Sequence, residues 1–331
     1  MTMINLYNCY SAMRVLSTSV LATGVLLTSS IAFAGERIDR TLDSGATPKL
    51  DIEHVNGNTD IKVWDKPQVR VVGELSDRTE EFIFEVRGDV VIIHVEVNSM
   101  GKDWWEKNDE GDTLTIYVPT ASDVNYSAVN ADVTIEGVTQ SASIDVVNGD
   151  VDITNTGKRV KASSVNGDIN LSRVYGRLDA DTINGEITAT HEGQMAVSFA
   201  SVNGRITATT SSPDVTVETV NGQSTLSLQS IDSLSINTVN GRSTASLNLN
   251  PDGQLKANSV GGKIDLTFQP NVSAQFDIEA HAGGDIDNRI SDDKVGSPKF
   301  GPSKWLRFMN NGGAANVDIS TVHGTIVIDQ Q

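Results

Sequence analysis

Cysteine is almost missing from this chain: 331 residues hold one, Cys9. It sits in an N-terminal stretch that reads as a leader, so the remainder has none. Disulfides, cysteine-bound zinc and thiol catalysis are thereby excluded, as is lipid attachment to a cysteine after the leader. Aromatic residues are also scarce, at 5 %. Between residues 127 and 267 only Tyr175 and Phe199 occur, which leaves a core of small aliphatic and hydroxyl side chains. No apolar run is long enough for a membrane-spanning helix. Cationic residues are in deficit, 25 against 43 acidic ones, for a net charge of −18. Such a surface repels nucleic acid and anionic lipid. It suits cationic partners, counter-ions or solubility.

The first 34 residues read as a secretory signal peptide. Arg14 supplies the positive end, Val15 to Leu27 the short apolar stretch, and Ala32-Phe33-Ala34 a small-x-small cleavage site before Gly35. Removing them takes Arg14 away and leaves a chain of charge −19. The expectation is an exported protein, in the periplasm or at the cell surface.

What the chain does have is a repeat. "DVVNGDVDIT", "SSVNGDINLS", "DTINGEITAT", "ASVNGRITAT", "ETVNGQSTLS" and "NTVNGRSTAS" recur at steps of 18 or 19 residues. Degenerate copies follow at Gly262, Gly284 and Gly324, and an early one stands at Gly57. A fixed short period signals stacked units that bury apolar surface only against their neighbours. Each unit holds two alternating Val/Ile/Thr-rich strand patterns and two turns, with no 3.6-residue period. The fold class expected is all-β: a parallel β-solenoid with two-sided coils of about 18 residues and an irregular N-terminal β cap. The hexapeptide rule of left-handed helices fails at Arg159 and Arg177, and right-handed winding is expected for parallel crossovers. The organisation is read as signal peptide over 1–34, β cap or wider coils over 35–126, and regular solenoid over 127–331 with a loop insertion at 288–313.

The Asn-Gly pair is read as structure. Glycine tolerates positive φ in the turn, the preceding Val or Ile plugs the corner, and stacking brings Asn130, Asn148, Asn166, Asn184, Asn203, Asn221 and Asn240 into a turn ladder of side-chain amides. A calcium site repeated in each coil is excluded, because the residue after Gly changes from Asp150, Asp168 and Glu186 to Arg205, Gln223, Arg242 and Lys263.

Few residues offer chemistry. His54, His94, His191, His281 and His323 are scattered without metal-ligand spacing and read as surface or turn residues. No Gly-x-Ser-x-Gly elbow occurs. Arg87-Gly88-Asp89 reads as ordinary turn chemistry between two strands. No catalytic, cofactor-binding or metal-binding residue is assigned, and no cofactor. The candidate ligand-binding residues are the tryptophans of two polar insertions, Trp104 and Trp105 in 98–112 and Trp305 in 288–313.

"LDIEHVNGNTDIKVW", "LTIYVPTASDVNYSAVNADVTIEGV" and the repeated Val-Asn-Gly-Asp units together resemble the bacterial putative adhesin family, a β-solenoid domain of unknown function, over about residues 48–330. The resemblance implies an extracytoplasmic, non-enzymatic role as an adhesin or an envelope-binding, stress-related scaffold. Its partner would be an envelope or surface ligand: a cationic peptide, a glycan or a protein. The competing reading is a β-helix carbohydrate-active enzyme, a polysaccharide lyase or hydrolase.

Overall fold

The computed structural model describes residues 36–97 and 111–331. The signal-peptide reading and the Trp104–Trp105 pair lie outside the described residues. The architecture is the expected one, all-β and dominated by parallel pairing. The described residues divide into two compact units, one ending at Asp152 and the other beginning at Ile153.

In the first unit, β2 (Lys49–Trp64) and β7 (Asp123–Glu136) are whole coils that turn a corner midway. They pair in parallel from Lys49↔Asp123 to Lys62↔Glu136. The other side of β2 is shared. Its first half pairs with β5 (Val90–Val97) and its second half with β6 (Asp112–Pro119). The first coil in sequence is thus sandwiched between two later ones. Antiparallel strands then cover the outer rung: β4 (Thr79–Arg87) on β5, and β3 (Gln68–Leu75) on β6, with β1 (Glu36–Asp43) on β3. Beyond β7, parallel pairing continues to β8 (Ser141–Asn148). Alternation puts Leu50, Ile52 and Ile61 of β2 and Val124, Tyr126, Val133 and Ile135 of β7 inside.

β9 (Val151–Thr156) carries the boundary between units. In the second unit, β10 (Arg159–Asn166), β12 (Arg177–Asn184), β14 (Val197–Ser201) and β16 (Asp214–Thr219) stack in parallel as one sheet. β11 (Ile169–Val174), β13 (Glu186–His191) and β15 (Arg205–Thr210) stack as the other. β17 (Gln223–Thr238) and β18 (Arg242–Ser259) each serve both sheets, and β19 (Lys263–Phe268) follows. Columns such as Leu178, Val197, Val215, Leu234 and Leu255 run through the core in register.

The order then breaks. The last coil, β23 (Ala315–Thr321) and β24 (Thr325–Gln330), pairs with β18 and β19. The preceding coil, β20 (Ala274–Ala280) and β21 (Asp285–Asn288), is displaced outward onto β23 and β24. The chain's end is therefore clamped on both sides. The new edge is covered by β22 (Lys304–Asn310), antiparallel to β20. Phe308 of β22 stacks on Phe276 with centroids 4.5 Å apart, and Phe276 meets Phe268 edge-on at 5.6 Å. Arg307 pairs with Asp277 at 2.9 Å on the exposed side. A short, charged antiparallel strand over an apolar layer blunts the edge at which the stack ends.

Two details of the repeat differ from the sequence expectation. Among the Asn-Gly glycines, Gly57 (φ 131°) and Gly149 (φ 154°) have positive φ, but Gly185, Gly204, Gly222 and Gly241 do not. There the reason for glycine is stacking. A Cβ on Gly204 would lie 1.9 Å from the carbonyl oxygen of Gly185, and one on Gly241 2.0 Å from that of Gly222. The Val or Ile before Asn does not plug the corner either; Val129, before Asn130, is 43 % exposed. The inward residue is the hydroxyl one position earlier: Thr182, Ser201, Thr219, Thr238, Ser259 and Thr321, all buried. These hydroxyls serve the corner directly. Ser259 Oγ accepts the Gly262 amide at 2.8 Å, Thr321 Oγ1 that of Gly324 at 2.9 Å, and Thr219 donates to Thr238 at 2.9 Å.

Candidate functional site

The Asn-Gly corners of the second unit line up into an open groove. One stretch, lined by Gly204, Arg205, Gln223 and their neighbours, holds about 470 Å³. The next holds about 630 Å³ over Asn240, Gly241, Arg242, Gly262, Lys263 and His323. Both share Asn221, Gly222 and Gln223, so they are parts of one trough. Asn184 Nδ2 donates to Asn166 Oδ1 at 2.9 Å, and Asn203, Asn221 and Asn240 each donate to the preceding rung at 3.0, 3.2 and 3.4 Å. In the first unit Asn148 donates to Asn130 at 2.8 Å. After Asn240 the row changes: Gly261 holds the asparagine position, and a Cβ there would lie 2.8 Å from Asn240 Oδ1. The missing side chain opens the wider stretch of groove and leaves that oxygen without an amide from the next rung. His323 stands in the following rung, its Nδ1 donating to Ala282 O at 2.8 Å.

The residue after each glycine forms a second row. Glu186, Arg205, Gln223, Arg242, Lys263 and Thr325 are consecutive cross-strand partners. Adjacent rungs are about 4.8 Å apart. Arg205 is 3.4 Å from Glu186, and Lys263 donates to Asp265 at 2.7 Å. Arg242 is exposed, and its side chain makes no hydrogen bond or ion pair among the described residues. In a chain of net charge −18, the groove gathers three cations on four consecutive rungs. It can take an extended anionic ligand running along the stack, with amide and backbone polar groups beside the charges.

Trp305 stands elsewhere, on the β22 edge. It is 37 % exposed, and its indole covers Gly296, whose backbone exchanges two hydrogen bonds with it at 2.8 and 3.1 Å. The Arg87-Gly88-Asp89 triplet occupies the β4–β5 turn, where Asp89 is held by Lys49 at 2.6 Å.

Two histidines read as surface or turn residues are buried instead. His54 Nε2 donates to Asp112 Oδ2 at 3.2 Å, with side-chain exposures of 0 and 1 %. Tyr126 donates to Thr59 at 3.2 Å and Thr59 to His54 Nδ1 at 3.0 Å. Asp112 also accepts the Ser76 amide at 2.6 Å and the Thr79 hydroxyl at 2.7 Å. Burial would raise its carboxyl, but bonds from His54, Ser76 and Thr79 outweigh that and hold it below the usual aspartate range. Burial pushes the Tyr126 phenol up. This is an acid–imidazole pair without access for a substrate, and its role is to fasten the early corner. His191 is the second: Nε2 donates to Gly176 O at 2.7 Å and Thr210 donates to Nδ1 at 3.0 Å. Burial lowers its pKa despite the Gly176 bond. Sequence offered one clue to both: each stands at an inward position of its strand alternation.

With this geometry in hand, the sequence profile of one family, Toastrack DUF4097, matches residues 40–241. The chain belongs to the Toastrack DUF4097 family. No curated protein matches it. Among solved structures, it is similar to a "putative cell adhesion protein" of Clostridium sporogenes ATCC 15579 at 11 % identity and TM-score 0.27, covering 90 % of this chain and 100 % of that one. A "putative adhesin" of Bacteroides fragilis NCTC 9343 follows at 12 % and 0.33, with 89 % and 97 % covered. A "putative lipid binding protein" of Parabacteroides distasonis ATCC 8503 gives 12 % and 0.36, with 89 % and 98 % covered.

Proposed function

We propose that this Toastrack protein is a non-enzymatic, exported binding protein of the cell envelope or surface, and that it holds an extended anionic ligand in its corner groove. The observation that carries this is the cation row Arg205, Arg242 and Lys263, with the Arg242 side chain unpaired among the described residues, inside an otherwise acidic chain. The rung spacing suits a linear polymer bearing a carboxylate on each sugar better than a compact ligand. Export rests on the leader reading, with cleavage after Ala34 and a periplasmic or surface destination. The tryptophans Trp104, Trp105 and Trp305 are a secondary proposal for sugar contact.

Polygalacturonate serves as the anionic probe and dextran as the neutral one. The expected result is polygalacturonate binding that weakens as salt rises, because exposed charges are screened over about 8–10 Å, and that falls at least tenfold in Arg242→Ala with Lys263→Ala. Equal binding of both polymers, or binding unchanged in the double variant, overturns the groove reading. Turnover of either polymer, abolished by one Asp or Glu substitution, promotes the β-helix carbohydrate enzyme instead.

A further inference from the structure

Strand pairing in the first unit brings together three side chains that lie far apart in the sequence. Asp51 and Glu53 are alternate residues of β2 and share a face. His94 of β5 is the cross-strand partner of Glu53, and Ile92 that of Asp51. One donor atom from each of Asp51, Glu53 and His94 lies within 4.8 Å of the others, the one such group among the described residues. His94 Nε2 is 3.7 Å from Asp51 Oδ2. That nitrogen is shielded from solvent yet makes no hydrogen bond among the described residues, which normally costs free energy. Asn125 donates to the other oxygen of Asp51 at 3.0 Å and so fixes the carboxylate.

We propose that Asp51, Glu53 and His94 form a divalent metal site on the outer face of the first unit, suited to zinc or a similar transition ion. The donor set decides the class. Imidazole with two carboxylates matches zinc, whereas calcium and magnesium take oxygen ligands almost alone. Tetrahedral bonds of about 2.1 Å place donors roughly 3.4 Å apart, so the His94–Asp51 pair is nearly in place and Glu53 closes by a rotamer change. Asn125 is the outer-shell partner that orients Asp51. The fourth position opens to solvent. The ion would satisfy the orphaned nitrogen and tie β2 to β5, the sandwiched coil to its outer rung. This inference is independent of the corner groove.

The test is calorimetric titration of the chelator-treated chain with Zn²⁺. One equivalent binding in the micromolar range is expected, unaffected by millimolar Ca²⁺ or Mg²⁺. His94→Gln and Glu53→Gln should each weaken it at least tenfold while melting like the wild type in chelator. His281→Ala, which alters an exposed histidine 3.8 Å from Glu279, should change nothing. No binding at 100-fold excess over micromolar Zn²⁺, full affinity in both Gln variants, equal competition by Ca²⁺, or loss in His281→Ala would each overturn the proposal.

Discussion

His54 and Asp112 meet at 3.2 Å, both closed to solvent, although 58 residues separate them. His54 belongs to the first corner of β2, and Asp112 begins β6, the strand laid against that corner. Gly57 completes the arrangement. Its φ is 131°, and a Cβ would lie 1.9 Å from Asp112 O. Removing Asp112 leaves an imidazole, a backbone amide and a hydroxyl without their acceptor. Asp112→Ala should cost about 3–5 kcal/mol, read as a shift in urea midpoint at pH 7. Because the folded carboxyl lies below its unfolded value of about 3.9, its contribution is complete above that pH and is lost as pH falls through the folded value. The gap between wild type and variant should therefore narrow below about pH 3.9. A gap unchanged at pH 3 contradicts the charged assignment.

His191 has the opposite chemistry, being buried neutral between Gly176 and Thr210. Its folded pKa is lowered, so its stability contribution is full above the unfolded value of about 6.5. It declines as pH falls from there toward the folded value. Melting temperature should fall between pH 7 and pH 5, and the fall should be smaller in His191→Gln. The ring proton shifts in NMR should show His191 titrating below ordinary histidines.

The corner glycines make a prediction of sign. If Gly204 served only turn flexibility, alanine would stabilise by about 0.4–1 kcal/mol, since its φ is not left-handed. The close Gly185 carbonyl predicts the reverse, a loss of about 1–3 kcal/mol from forcing adjacent coils apart. Chemical denaturation of Gly204→Ala distinguishes the two.

The amide row should be unequal along its length. Asn184 bonds to both Asn166 and Asn203, whereas Asn240 has one bond, at 3.4 Å. Asn184→Ala should cost about 1–2 kcal/mol, two net hydrogen bonds, and Asn240→Ala under about 1 kcal/mol. Equal melting shifts would mean that the amides do not bond in series.

The sequence by itself determined the fold class. An 18-residue period of β-branched alternation and turns admits little besides stacked coils, and scarce aromatics fix a narrow core. It also held the hydroxyl three residues before the corner glycine in most late copies, Thr182, Ser201, Thr219, Thr238, Ser259 and Thr321, a regularity eclipsed by the louder Asn-Gly. Only the tertiary structure decided coil order. Period says that coils stack but not which neighbours which, and clamping β2 and the β23–β24 coil between others follows from burying chain ends and covering edges. The same limit hid the sites. Arg242 and Lys263 become one row, and Glu53 and His94 one cluster, through strand register. Register joins residues 21 and 41 positions apart, and local periodicity carries no information about side chains that meet only across a ladder.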